Sequence, residues 1–180
     1  KEKTHEHLKN MLNSLEHRGP DAKGHIQSEN VSLGHTRLSV IDPDSRSHQP
    51  MNQDHQIFLT YNGEIYNSQD LKTSLQAIGH QFKTTSDTEV VLKGHMEHGE
   101  KVVDLFNGMF AYAFFDRSKN RLVLVRDRLG IKPLYTYENK NYFIFASEIR
   151  PILKVIGTPQ LEEREIYNYF QYRYVPGNQT

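Results

Sequence analysis

Cysteine is absent from all 180 residues of this chain, which excludes disulfide bonds and thiolate metal sites and fits a reducing compartment. Net charge is absent too. The 22 basic and 22 acidic side chains cancel, so no global field draws the chain to nucleic acid or to an anionic membrane. No run of about 18 or more apolar residues is present to span a bilayer as a helix, and the opening residues lack a signal-peptide pattern. Cytoplasmic residence, with neither nucleic acid nor membrane as partner, is the resulting expectation. Internal repeats and low-complexity tracts are also missing. At 36% apolar, 180 residues suffice for one domain with a substantial core.

What the chain does have is an ordered alternation of helical and strand patterns. Leu8, Met11, Leu12 and Leu15 recur at helical spacing until Gly19-Pro20 stops them. Apolar and polar residues alternate from Ile26 to Ile41, predicting two strands, the second running through His35-Thr36-Arg37-Leu38-Ser39-Val40-Ile41 before Asp42-Pro43-Asp44 turns the chain. Residues 56–61 predict another strand. Ser68 is placed to cap a helix whose Leu71, Leu75 and Ile78 share a face and which Gly79 ends. Ser86-Asp87-Thr88-Glu89 fits a capping box, in which Ser86 accepts from the amide of Glu89 and Glu89 reaches back to the amide of Ser86. Residues 109–115, 121–126, 134–137 and 142–146 predict a meander of antiparallel strands. Residues 147–154, despite Pro151, and residues 161–172 predict two further helices. The pattern amounts to an α+β domain in which antiparallel sheets are covered by helices.

One segment, Tyr61-Asn62-Gly63-Glu64-Ile65-Tyr66-Asn67, carries two readings. Asn-Gly between apolar runs is the strongest short-range hairpin signal. The same pair offers a side-chain amide donor beside an exposed backbone N–H, which together suit an oxyanion. Around it, in order, stand His17-Arg18-Gly19-Pro20-Asp21, Arg37-Leu38-Ser39-Val40-Ile41-Asp42, Ser86-Asp87-Thr88-Glu89 and Arg126-Asp127-Arg128-Leu129-Gly130-Ile131-Lys132-Pro133-Leu134-Tyr135. This ordered set resembles the N-terminal class II glutamine amidotransferase domain of the glutamine-hydrolysing asparagine synthetases, over nearly the whole chain. Amidotransferases feeding purine or amino-sugar synthesis share the general layout. The Pro-Asp after His-Arg-Gly and the Arg-Leu-Ser-Val-Ile-Asp run look like the asparagine synthetase branch.

The resemblance implies a four-layer αββα sandwich of the N-terminal nucleophile hydrolase type. It implies a glutaminase domain over residues 1–158, with residues 159–180 forming a helix and linker toward a C-terminal synthetase domain. Its site residues carry over by position. Asn62, through its side chain, and Gly63, through its backbone N–H, correspond to the oxyanion hole. Arg37 corresponds to the anchor of the substrate α-carboxylate, a role in which a guanidinium fork outperforms a lysine point charge. Asp87 corresponds to the receiver of the α-ammonium. Glu64 and the stretch Leu38, Ser39, Val40 and Ile41 correspond to the pocket lining.

Each position also has a plain structural reading. Arg37 can serve a surface ion pair, and Asp87 suits the first turn of a helix on dipole grounds alone. His17-Arg18-Gly19-Pro20-Asp21 can be a mere helix stop, and the Arg126-Asp127 and Gly130-Ile131-Lys132-Pro133 region a structural turn, as readily as an element facing a partner domain.

Members of the resembled family use an N-terminal cysteine as nucleophile and its own α-amino group as base, and neither is in this sequence. The expectation is that about ten residues carrying that cysteine and a first strand precede Lys1 in the intact protein, and that the 180 residues alone are inactive. The implied partners are glutamine, the synthetase domain and a second copy of the chain. No cofactor is expected for this domain, because ATP and magnesium belong to the synthetase domain. Two alternatives stand beside this reading: an amidotransferase delivering ammonia to another acceptor such as a sugar acid, and a catalytically silent domain that binds glutamine or a partner. Of the ten histidines, His95 and His98 are spaced as neighbours on a helix, but no third ligand stands near them and no metal is expected. The tyrosines of residues 167–174 lack the surrounding basic charge that nucleic-acid stacking needs.

Overall fold

The helical spacing of Leu8, Met11 and Leu12 yields helix α1 (Glu2–Ser14), which buries Leu12 and sets Leu8 and Leu12 over Gly34. The computed structural model describes residues 2–38, 47–160 and 162–176. A 3₁₀ turn at Glu16–Arg18 leads into a hairpin of β1 (Ala22–Gln27) and β2 (Ser32–Arg37), with Ala22 opposite Arg37. The first strand begins at Ala22 rather than Ile26, and the second stops at Arg37 rather than Ile41. Ahead of Ala22 the chain stays against the end of β2, where Pro20 bridges Arg37 and the Asp21 N–H donates to the Arg37 carbonyl. Ser39, Val40, Ile41 and the expected Asp42-Pro43-Asp44 turn lie outside the described residues.

The central sheet is antiparallel, ordered β3 (Met51–Gln53), β4 (Ile57–Ile65), β5 (Gly108–Asp116) and β6 (Arg121–Arg126). Strands β3 and β4 are joined by a tight turn whose central residues, Asp54 and His55, both have positive φ, of 50° and 55°. That is the primed geometry whose twist suits a hairpin. Between β4 and β5 lie α2 (Ser68–Ala77), α3 (Asp87–His98) and a 3₁₀ segment, Gly99–Leu105. After β6 come a second hairpin of β7 (Tyr135–Glu138) and β8 (Phe143–Ala146), then α4 (Ile149–Ile156) and α5 (Glu163–Tyr172). Pro151 is accommodated in the first turn of α4, where its missing N–H is not needed.

Strand alternation assigns the layers. Leu59, Tyr61 and Ile65 of β4, with Phe110, Tyr112 and Phe114 of β5, pack on Val91 and Leu92 of α3. The opposite face, through Phe58, Ala113 and Phe115, meets Leu33 of β2, Ile26 of β1 and Phe145 of β8. Beyond those hairpins, Ile144 and Ala146 pack with Ile152 of α4 and Met11 of α1. Helix, sheet, strand pair and helix therefore stack as αββα. The second strand layer consists, among the described residues, of two separate hairpins.

Several local expectations change. The meander breaks between β6 and β7, where the buried Asp127 carboxylate accepts from the N–H groups of Phe110, Ile131 and Lys132. Burial alone pushes this carboxyl up, but the backbone donors outweigh it and hold it below the ordinary carboxylate value. Arg126 completes the loop by donating to the carbonyls of Gly130 and Lys132. In α3 the capping box is rearranged. Ser86 accepts from Thr88 N, while Glu89 reaches past Ser86 to the amides of Lys83 and Thr84 and the Thr84 hydroxyl, fastening the incoming loop instead. In α2 the capping position is Asn67, not Ser68, and Asn67 ties to Leu105 O and Asn107 N. Leu75 is buried as expected, but Ile78 is exposed just past the helix end.

Candidate active site

Asn62 and Gly63 lie in the interior of β4, so the hairpin-turn reading does not hold. Glycine at position 63 answers to crowding by the neighbouring strand, since a Cβ there would fall 2.3 Å from Met109 O. The hydrogen-bonding phase of the strand follows from its ends: Arg117 N donates to Gln56 O and Tyr66 N to Asn107 O, so the even residues of β4 share rungs with β5. The odd N–H groups point to the other edge. There β3 covers only Ile57 to Leu59, and beyond it side chains take over. The Tyr61 N–H donates to Gln49 Oε1 at 2.6 Å and the Ile65 N–H to Asp87 Oδ2 at 3.0 Å. Gly63 N–H stands between these two satisfied donors, and no described residue accepts from it.

The same edge carries the other predicted groups. Asp87, the first residue of α3, is buried, and its Oδ2 also accepts the Tyr61 hydroxyl at 2.6 Å. Its Oδ1 accepts from no described residue. Burial, with Asp87 close by, raises the Tyr61 phenol far above its ordinary value, so it stays a donor. His35 Nε2 lies 3.2 Å from Tyr61 O. Because a carbonyl only accepts, this nitrogen carries the proton and Nδ1 is bare. Burial pushes the imidazole down to about 4, with the Tyr61 carbonyl opposing and Arg37 adding to the fall.

Arg37 ends β2 and is itself buried. On β2, Leu33 faces the central sheet while Gly34 and Thr36 face α1, so His35 and Arg37 share the inter-sheet face with Leu33. On β4, Asn62 shares that face with Phe58. The fold thus gathers Gly63 and Asp87 at one strand edge, sets the Asn62 side chain on the adjoining inter-sheet face, and brings the Arg37 end of β2 toward them through His35. Glu64 and Leu38 are exposed at the margins.

Sequence reading missed Gln49, His35 and Tyr61. His35 was detectable, since it precedes Arg37 by one strand period. Gln49 was not, because nothing local marks a side chain that substitutes for a missing strand.

Other segments resolve as structural. His17 and Arg18 both contact Glu148 Oε1, at 3.0 and 3.1 Å, tying the turn after α1 to the start of α4. Burial raises the Glu148 carboxyl, but the His17 and Arg18 hydrogen bonds more than offset it, and the net shift is downward. His95 stacks on Phe114 with ring centroids 4.0 Å apart, while His98 is exposed. Among the described residues no three His, Cys, Asp or Glu side chains are grouped to hold a metal ion, and no helix is long and apolar enough to cross a membrane.

A family model described as glutamine amidotransferase domain matches residues 1–180. Asparagine synthetase (glutamine-hydrolyzing) 3 of Bacillus subtilis (strain 168) is 43% identical over 79% of this chain and 24% of its own length. A putative asparagine synthetase (glutamine-hydrolyzing) 2 of Methanocaldococcus jannaschii is 36% identical over 98% of this chain and 38% of its own. The chain thus spans between about a quarter and two fifths of these relatives. Among solved structures, glutamine phosphoribosylpyrophosphate amidotransferase of B. subtilis superposes with a TM-score of 0.68 at 21% identity, covering 84% of this chain and 41% of that one. At that identity the likeness shows the fold alone.

Proposed function

The chain belongs to the glutamine amidotransferase domain family, with asparagine synthetases among its relatives, and from that premise we propose that it is the glutaminase domain of such a synthetase. It converts glutamine to glutamate and ammonia. The observation that supports this reading is the row of donors on the β4 edge, where the Gly63 N–H, between the satisfied donors of Tyr61 and Ile65, is taken up by no described residue.

The chemistry runs through a thioester. The thiolate of a cysteine preceding Lys1 adds to the side-chain carbonyl carbon of glutamine, and the π electrons move onto oxygen. Asn62 Nδ2–H and Gly63 N–H receive that charge; such donors act most strongly where charge develops. Collapse expels ammonia, which takes the proton that the nucleophile's α-amino group had accepted from the thiol, and water then cleaves the thioester to glutamate and returns the thiol. Arg37 grips the substrate α-carboxylate as a two-pronged donor. The Oδ1 of Asp87 takes the α-ammonium, its other oxygen being held by Tyr61 and Ile65. Glu64 and Leu38 stand at the margin of this site, and Ser39, Val40 and Ile41 are assigned to the substrate by their place in the family motif alone.

The same proposal divides the chain at residues 158 and 159, with α5 leading to a synthetase domain that uses ATP and magnesium to activate aspartate for the ammonia. It includes a homodimer and residence in the cytoplasm. The test is the intact mass and N-terminal sequence of the purified protein. A mature N-terminal cysteine about ten residues before Lys1 supports the glutaminase. Lys1 as the true first residue would leave a silent glutamine-binding domain. Ammonia transfer to a sugar acid rather than aspartate would keep the glutaminase and replace the acceptor.

A further inference from the structure

We propose that His35 is a positioning residue for the oxyanion-stabilising strand: its Nε2–H fixes the Tyr61 carbonyl and thereby the orientation of Asn62 and Gly63. The inference rests on the glutaminase reading and deepens it.

Past Leu59 no strand of the described residues pairs with the outer edge of β4, so among them the rungs of an ordinary neighbour come from elsewhere. Tyr61 receives two of them from side chains, Gln49 on its N–H and His35 on its carbonyl. The Tyr61 carbonyl belongs to the peptide bond that enters Asn62. Rotation of that peptide plane would swing the Asn62 side chain on the inter-sheet face and shift the Gly63 N–H one residue later. A strand edge left to side chains is free to pucker; a buried donor aimed at one carbonyl removes that freedom.

His35 is suited to this because it is neutral and rigid. A lysine at the same place would bring a charge beside Arg37. Leucine would leave the carbonyl unpaired inside the protein, at a cost that buried polar groups ordinarily avoid. The other ring nitrogen is informative as well. Among the described residues Nδ1 is buried without a hydrogen-bond partner, so the one hydrogen bond the ring makes is that of Nε2 to the Tyr61 carbonyl.

The experiment uses the full-length protein with its nucleophile, comparing wild type, His35→Leu and His35→Gln. Glutamine at this position keeps an amide N–H for the carbonyl. Glutaminase kcat and KM are measured separately, together with the amide resonances of Gly63 and of the Asn62 side chain in 1H–15N spectra. The expected result is a fall in kcat of about 100-fold for His35→Leu at nearly constant KM, the size that a misplaced catalytic group produces, with His35→Gln recovering most of it. Both Asn62 and Gly63 resonances move in His35→Leu and stay near wild type in His35→Gln. Wild-type kcat in His35→Leu, or a rise in KM alone, would overturn the proposal. If His35→Leu does not fold, unmoved kcat and moved resonances in His35→Gln would also overturn it, since the retained donor would then not be what matters. A wild type without glutaminase activity would defeat the functional reading instead, and the resonances would still decide whether His35 orders the strand.

Discussion

Tyr61 and Asp87 share one short contact: the phenol hydroxyl donates to Asp87 Oδ2 at 2.6 Å, and both residues are buried. The link joins the central strand to the first turn of α3. It reconciles two readings of Asp87, because a carboxylate at the start of a helix is favoured by the dipole and here also seals the end of the strand edge through Ile65 N–H. One oxygen serves the fold, and the other accepts from no described residue.

Tyr61→Phe should therefore destabilise the domain by about 1.5–3 kcal/mol, the range for a hydrogen bond to a charged group. Urea unfolding measures it. Because Asp87 would then be held by Ile65 alone, glutamine affinity should fall as well, and a variant with unchanged stability would show that the hydroxyl is dispensable.

Arg37→Lys should weaken glutamine binding by roughly 10-fold or more, although the charge is kept, because an ammonium cannot reproduce the two-pronged grip on a carboxylate. Titration calorimetry reads this directly. Unaltered affinity would remove Arg37 from the substrate site.

Asn62→Ala in the full-length enzyme should lower glutaminase turnover by about 10²–10³-fold, the cost of one oxyanion donor. Synthesis from free ammonia should persist, because it bypasses glutamine hydrolysis. Equal loss of both activities would make Asn62 a structural residue.

Stability should also depend on pH in two stages. The folded-state value of His35 lies near 4, against 6.5 for the free side chain, so between these values the unfolded chain binds a proton that the folded one does not. Stability must fall as pH drops from about 6.5 toward 4. His95, lowered by burial, contributes in the same direction. Asp127 acts in the same direction at lower pH: its carboxyl is depressed, so its contribution is complete above the ordinary value of 3.8 and lost as pH falls below it. Urea midpoints across this range should show the upper stage shrink in His35→Gln while the acid stage remains.

The helical face of Leu8, Met11 and Leu12, the run of β5 and the placement of Asp87 in a first helical turn were all legible in sequence, because each rests on local periodicity or composition. Even the end of α2 was close to its predicted place. The capping details were not, since Glu89 has partners in its own helix and in the loop before it, and packing of that loop chose Lys83 and Thr84. Gly63 shows the same division. Its place beside Asn62 was readable, but the pressure of the β5 backbone against it was not.

By itself the sequence determined an α+β arrangement, most of the elements it contains and, through an ordered set of motifs, which family it resembles. Those properties follow from side-chain period, turn chemistry and residue order, all of which are written along the chain. Only the tertiary structure decided that β3 stops short of Tyr61, that Gln49, His35 and Asp87 converge on the uncovered edge, and that Gly63 N–H is left between satisfied neighbours. Those relations join residues 12 to 26 positions apart. Hydrogen-bond satisfaction at a strand edge is a property of what lies beside the strand, and the strand's own sequence does not contain it.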